Sequence, residues 1–343
     1  MLPPQLWPEV GPRLLLGTAL SVLSRASLPV GTGTGDVRVE RLSGALTNAS
    51  YKVITDGGVY VMRLSGTGTS GFVDRASEGH NARVAAGLGI NAEVVYCDPR
   101  DGTMLTRFVE GRSMDEGGRL GRERGALVRA TLALRKVHDG GRPFVSRFDA
   151  FSMMERYLVL LSGLGAPVPA VYQKLARGAG AVRRVLEESP VRLVPCHNDP
   201  WPGNLLDTGR RIYVIDWEYS GMNDPMWDLG ALSVEAGLGP EQDRQMLLAY
   251  YGGAVSPMLR SRLLLYKAVG DLHWALWALV QHANRNAAED FLAYALGRLK
   301  RCKARMESPD FVRHLDVVRA ARGRSGRRNP VPPEVDATGS LAV

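Results

Sequence analysis

The apolar residues of this chain change period once, near Gly111, and that switch limits it to a sheet-bearing amino-terminal part joined to a mainly helical remainder. Upstream, residues 37–42, 50–55 and 59–64 alternate or are rich in β-branched side chains, and Asp56, Gly57 and Gly58 supply a tight turn between the last two. Such a meander leaves a face bare, and residues 74–88, with Ala76, Ala82, Val84, Ala85 and Ala86, read as the helix that covers it. Strand character resumes at 93–97 and 104–109 around the turn at 98–102. Beyond Gly111, residues 120–137, 151–161, 179–188, 242–250, 258–282 and 288–305 carry helical patterns. Two short apolar stretches, 191–196 and 212–215, lie on either side of a turn-rich segment with Asp207, Thr208 and Gly209, and are expected to pair as a hairpin. The expected class is α+β with two lobes: a small antiparallel sheet with one covering helix at 36–111 and a larger, mainly helical lobe at 112–320. An amino-terminal extension (1–35) precedes them, and a mobile tail rich in Arg, Gly, Pro and Ser (321–343) follows.

With 343 residues and 45% hydrophobic content the chain can build real cores, which excludes disorder throughout. The formal charge is +8, but many basic residues crowd into 298–328 instead of tracking along an aromatic-studded surface, so no stable nucleic acid partner is expected. Cys97, Cys196 and Cys302 are far apart and odd in number, which argues against a disulfide framework or a cysteine metal knot and for a reducing compartment. The early apolar run at 14–23 is broken by Gly17 and Thr18 and is too short to span a bilayer; a cytoplasmic protein without a transmembrane segment is expected. Residues 1–30 are then a peripheral helix or a partly ordered extension. Several helix faces could serve an oligomer, and the sequence does not choose among them.

The informative stretch runs Cys196, His197, Asn198, Asp199, Pro200, Trp201, Pro202, Gly203, Asn204, with Asp216 twelve residues further on at the end of an apolar strand. Phosphoryl transfer to an alcohol needs a carboxylate that orients and deprotonates the hydroxyl, and hard oxygen ligands for a divalent ion that bridges phosphate oxygens. Two prolines and a glycine can hold such groups out of a core. A strand ending in Asp216 would let it meet Asn204 across a hairpin, with Asp199 free on the substrate side. Each residue alone is an ordinary turn or cap residue. Together, HxDxxxxN followed by a strand ending in Asp is a specific signal.

This constellation resembles that of the choline and ethanolamine kinases and the aminoglycoside phosphotransferases, a group with a protein-kinase-like fold, and the resemblance runs from about residue 37 to 306. It implies Asp199 as catalytic base, Asn204 and Asp216 as ligands of Mg2+, and His197 as a structural histidine. It places Gly44, Thr47 and Asn48 in the phosphate-covering turn and Arg63 against the phosphates of ATP, where Arg in place of Lys is similar to choline kinases. Glu78 would pair with Arg63 from the covering helix, and the connection through Phe108 and Glu110 would pass the adenine. The turn at 42–49 lacks the full glycine-rich kinase pattern and the Walker Lys-Ser pair, so it offers no independent proof of nucleotide binding.

In the larger lobe the resemblance implies a pocket for a small cationic alcohol built from Tyr219, Trp274, Trp277 and Tyr294, with Glu235 as acidic partner. A quaternary ammonium has no N–H to donate and is recognised by aromatic faces and nearby negative charge, which gives the match a physical sense. Trp274 and Trp277 are three residues apart and share a helix face. Ethanolamine, thiamine, an aminoglycoside or an amino sugar remain open as acceptors. A non-catalytic kinase-like module that uses the basic carboxy-terminal segment to meet anionic partners is the reading from a different class.

Overall fold

A computed structural model describes residues 12–28, 37–44, 46–66, 73–140 and 142–321. Helix α1 (Pro12–Arg25) precedes β1 (Arg38–Leu42), β2 (Ala49–Thr55) and β3 (Gly58–Leu64); α2 (Arg75–Gly87), β4 (Val94–Cys97) and β5 (Met104–Arg107) complete the small lobe. The strands form one antiparallel sheet in the order β1-β2-β3-β5-β4. Alternation sends Tyr51, Val53, Tyr60, Met62 and Leu105 to one face, where Ala19, Val22 and Leu23 of α1 pack on them. Arg63, next to Met62, therefore points to the other face and meets Glu78 of α2. Helix α2 is capped by the Asp74 carboxylate, which accepts from the backbone N–H of Ala76 and Ser77 at 3.0 and 3.1 Å. The expected covering helix is thus α2, and α1 is a second cover on the opposite face.

The larger lobe begins with β6 (Arg112–Ser113), α3 (Arg119–Arg122), α4 (Arg124–His138), α5 (Ala150–Gly163) and α6 (Tyr172–Glu188). Short strands β7 (Val194–Cys196), β8 (Leu205–Asp207), β9 (Ile212–Val214) and β10 (Gly221–Asn223) follow, then α7 (Pro225–Glu235), α8 (Pro240–Tyr251), α9 (Pro257–Ala283), α10 (Phe291–Met306) and α11 (Asp310–Ala320). The expected hairpin between 191–196 and 212–215 is not formed. Strand β9 pairs with β8, and β7 pairs with β10. The physical reason is turn geometry: Thr208 N donates to Arg211 O at 3.1 Å, so the turn closes directly on Asp207, and the segment between β7 and β8 is left free to carry the acidic and amide cluster. Helices α7 and α11 lie where no helix is expected from the sequence, and α6 starts at Tyr172, earlier than its strongest pattern. Nine residues of α7 are buried, so it lacks the polar stripe that reveals a surface helix.

Helix α9 is the axis of this lobe. It is long and apolar enough to cross a membrane, yet it is buried inside the protein against α5, α7, α10 and α11. The tail at 322–343 lies outside the described residues. Around His273, on α9, pack Phe148, Tyr157, Trp227 and Trp274, with ring centroids 4.8 to 5.7 Å away. Burial pushes His273 down to about 4, so it is neutral near pH 7. A histidine whose folded value lies below its unfolded value takes up its proton on unfolding, so its contribution is intact above about pH 6.5 and is lost as pH falls toward 4. Chemical denaturation is therefore expected to show the wild type losing about 2 kcal/mol more than His273→Phe between pH 7.5 and pH 5. Equal losses in the two proteins would show that His273 is not buried uncharged.

Candidate active site

The loop between β7 and β8 is held from beneath by one carboxylate. Asp228 of α7, fully buried, accepts from the backbone N–H groups of His197 and Asn198 at 2.8 and 2.7 Å and contacts His138 Nε2 at 2.9 Å. His138 Nδ1 in turn meets the Tyr250 hydroxyl at 2.7 Å. Asn198 adopts φ 68°, a conformation costly for a side-chain-bearing residue, and is fixed there because its amide donates to Tyr219 O at 2.9 Å and its oxygen accepts from Asn223 at 2.9 Å. The reversal aims Asp199 away from the core. His197 donates through Nε2 to Ile215 O at 2.9 Å, which ties this loop to the segment bearing Asp216. Burial lowers the His197 pKa, and its ring packs edge-on against Trp217; it is a structural brace.

Asn204 comes back toward Asp199 through the 3-10 turn Pro202–Asn204. A Cβ at Gly203 would collide with the Trp201 ring, so any side chain here would force that ring to move. The Asn204 amide group donates to Asp199 O and Oδ2 at 3.0 and 3.3 Å, which leaves its carbonyl oxygen for another partner. Ile215 N donates to Asn204 O at 2.9 Å, and Asp216 follows with φ 63°. Asp199, Asn204 and Asp216 thus share one locus, as the spacing implied. Burial raises the Asp199 pKa well above the carboxylate range, and the charges of Glu235, Asp216 and Glu218 raise it further, against the Asn204 hydrogen bond.

The nucleotide side is reached through a buried ion network that crosses between the lobes. Arg63 pairs with Glu78 and, at 2.9 Å, with Asp216. Burial would push Arg63 down, but Glu78, Asp216 and Glu218 hold it above its ordinary value. Arg75 bridges Glu78 at 2.8 Å and Glu218 at 3.2 Å, and Asn48 of the covering turn donates to Glu218 at 3.2 Å. Burial, then Asp216, push Glu218 up to about 7, against Arg63 and Arg75. Glu218 and Arg75 were not singled out from the sequence, where an acid two residues beyond Asp216 and a basic residue next to Asp74 look like ordinary surface charges. Gly44 has φ +98°, which demands glycine, and Leu46 O accepts from Asn286 of the larger lobe at 3.1 Å. Thr47 is half-buried, Phe108 donates its N–H to Val59 O at 2.9 Å under Lys52, and Glu110 is exposed; residue 45 lies outside the described residues.

On the other side of Asp199, Tyr219, Trp274, Trp277 and Tyr294 form a chain of edge-to-face rings with centroids 5.7, 5.7 and 6.4 Å apart. Tyr219 shares a hydroxyl contact with Tyr157 of α5. After burial, the negative charge of Asp199 is among the lesser causes that raise the pKa of Tyr157, Tyr219 and Tyr294, so all three rings lie within its electrostatic reach. Glu235 binds Arg298 of α10, a residue with no distinguishing sequence signal because its partners come from three helices. Trp274 Nε1, Trp277 Nε1 and Glu235 Oε1 are buried without a hydrogen-bond partner. Orphans of this kind are rare in folded proteins, and their clustering marks a place built to meet something else.

Residues 38–265 match the phosphotransferase enzyme family. The chain belongs to that family. A solved choline/ethanolamine kinase family protein from Mesorhizobium loti is 43% identical, with a TM-score of 0.75, and the match covers 88% of this chain and 99% of that one. Choline kinase LicA from Streptococcus pneumoniae is 25% identical with a TM-score of 0.69, over 84% of this chain and 98% of its own. Ethanolamine kinase 2 of Mus musculus is 29% identical over 295 residues, 76% of this chain and 74% of that protein. The protein-kinase-like two-lobed fold expected from the sequence is the fold of these relatives.

In a phosphotransferase of this family, the amide oxygen of Asn204 and the carboxylate of Asp216 offer the hard oxygen donors that Mg2+ requires. Replacing Asp199 by Asn is expected to cut turnover by about 10²-fold or more while leaving nucleotide affinity within about threefold, because general-base catalysis is worth that much and the residue lies off the nucleotide side. Near-normal turnover would remove Asp199 from the base role. Asp216→Asn should instead shift the Mg2+ titration of nucleotide binding to higher concentration, by about tenfold for the loss of one charged ligand. An unshifted titration would assign the metal to other groups.

Proposed function

We propose that the chain transfers the γ-phosphoryl group of ATP, with Mg2+, to the hydroxyl of choline or a closely related small cationic alcohol. The observation that carries this reading is the aromatic wall of Tyr219, Trp274, Trp277 and Tyr294 standing beside Asp199, with Glu235 behind it. A phosphate acceptor held there has its cation on π faces and its hydroxyl at the Asp199 carboxylate. The named activities of the similar proteins, choline kinase and ethanolamine kinase, support the same class of acceptor. Use of ATP and the free thiols at Cys97, Cys196 and Cys302 support a cytoplasmic setting.

The chain's own groups divide the work. Asp199 accepts the hydrogen bond of the substrate hydroxyl and takes its proton as the oxygen attacks the γ-phosphorus. The bond from that phosphorus to the ADP oxygen breaks in line, so no phosphoenzyme forms. Arg63, already tied to Glu78, turns its second fork from Asp216 to the phosphates, while Asn48 and the turn at Gly44 cover them. Mg2+ held by Asn204 and Asp216 supplies neutralisation of the phosphate charge. Trp274 and Trp277 exclude water from the acceptor.

A panel of choline, ethanolamine, thiamine and an aminoglycoside, with ATP and Mg2+, assayed by ADP release and product mass, tests the reading. Choline or a methylated relative is expected to give the highest kcat/KM. A thiamine or aminoglycoside product formed more efficiently than any of the small amino alcohols would overturn it.

A further inference from the structure

The substrate's cation is expected to meet Glu235, yet that carboxylate is already engaged. Arg298, 2% exposed, binds Glu235 Oε2 and the Tyr294 hydroxyl and lies 4.6 Å from the Tyr294 ring centroid. Its other fork reaches Asp271, fully buried on α9, at 3.4 Å. Asp271 is also bound by Arg301 at 3.2 Å and by Arg305. Two carboxylates are thereby set against three guanidiniums at the back of the aromatic wall. Burial would lower the Arg298 pKa, but Glu235, Tyr294 and Asp271 hold it above its ordinary value, so the charge is permanent.

Two consequences follow for a cation in front of this wall. A guanidinium at bonding distance offsets part of the field of Glu235, so charge attracts a cation here less than an unpaired carboxylate would. The orphaned atoms of Trp274, Trp277 and Glu235 suit an ammonium that carries N–H groups poorly: Trp274 Nε1 and Trp277 Nε1 are donors, and Glu235 Oε1 is one acceptor. A primary ammonium brings three donors and a tightly held hydration shell, and here it would strip that shell to satisfy one of them. A quaternary ammonium has no donor to strand and is weakly hydrated, and the ring faces of Tyr219, Trp274, Trp277 and Tyr294 are what it needs.

We propose that Arg298 is a specificity-determining residue: by occupying Glu235 it biases the pocket toward quaternary and against primary ammonium alcohols. This rests on the acceptor class proposed above, and it adds which member of that class is preferred and what sets the preference. Arg298 contacts Glu235, Tyr294 and Asp271, and acts on the substrate through Glu235 and Tyr294.

The first test uses the unaltered protein. Ethanolamine, N-methylethanolamine, N,N-dimethylethanolamine and choline are compared as acceptors with ATP and Mg2+, and their binding is measured by calorimetry without nucleotide. The expected result is a rise in kcat/KM of about tenfold or more along the series, carried by KM and matched by the binding constants. A flat or falling series overturns the proposal. No turnover of any member overturns the substrate reading itself, which is a distinguishable failure. The second test replaces Arg298 by Met and by Lys, with folding checked by thermal denaturation. Arg298→Met is expected to lower the choline-to-ethanolamine ratio of kcat/KM about tenfold by improving the ethanolamine KM, and Arg298→Lys to keep the ratio within about threefold of wild type. Equal losses on both substrates would make Arg298 a structural residue only. If Arg298→Met does not fold, the methylation series and Arg298→Lys decide: a Lys variant that loses the preference overturns the role of the charge.

Discussion

The architecture of the site depends on one buried carboxylate. Asp228 accepts two consecutive backbone N–H groups, those of His197 and Asn198, and nothing else in the described residues offers those donors a partner. A chain reversal with a non-glycine residue at positive φ costs on the order of 1–3 kcal/mol, and it persists only where surrounding bonds over-determine it. Here they do: Asp228 from α7, Tyr219 O and Asn223 from the strand that follows, and Trp227 Nε1 donating to Asn198 O at 3.0 Å. Asp199 is exposed to chemistry because the residue before it is trapped. The helix that supplies Asp228 is itself aimed by Asp224, which caps α7 and binds Arg262 and Tyr266 of α9 at 2.6 and 2.9 Å. Asp199 is thus referenced, through two aspartates, to the long central helix α9.

A second set of charges joins the lobes. Arg63, Arg75, Glu78, Asp216 and Glu218 are mutually paired, and removing one member of such a buried network strands the others at a cost of several kcal/mol. Three acids against two arginines leave an excess of negative charge, and that excess sits where a divalent cation and a polyphosphate would meet. Burial, then the charge of Asp216, raises Glu218, while the acids of the network hold Arg63 above its ordinary value against its own burial. The covering turn is held to the network by Asn48 and to the larger lobe by Asn286, so the phosphate region is bounded by both lobes.

The aromatic wall has the opposite charge arrangement. Its carboxylates, Glu235 and Asp271, are outnumbered by guanidiniums on α10. One region of the pocket is therefore organised around charge and the other around polarizable surface. The two meet at Asp199, where the reacting hydroxyl is proposed to sit.

Much of this was legible before any coordinates. Short-period alternation before Gly111 and helical period after it pointed to the two lobes, and HxDxxxxN with a following strand and Asp216 pointed to a phosphotransferase, because a base and oxygen ligands are what phosphoryl transfer to an alcohol needs. Tertiary structure alone decided the rest. The pairing of β7 with β10 could not be read, since three-residue strands carry too little pattern to choose a partner. Helix α7 was hidden because a helix buried on nearly every side shows no stripe. Arg75, Glu218 and Arg298 were indistinguishable from surface charges until folding brought together groups as many as 170 residues apart, and only their removal from water turned ordinary side chains into a network.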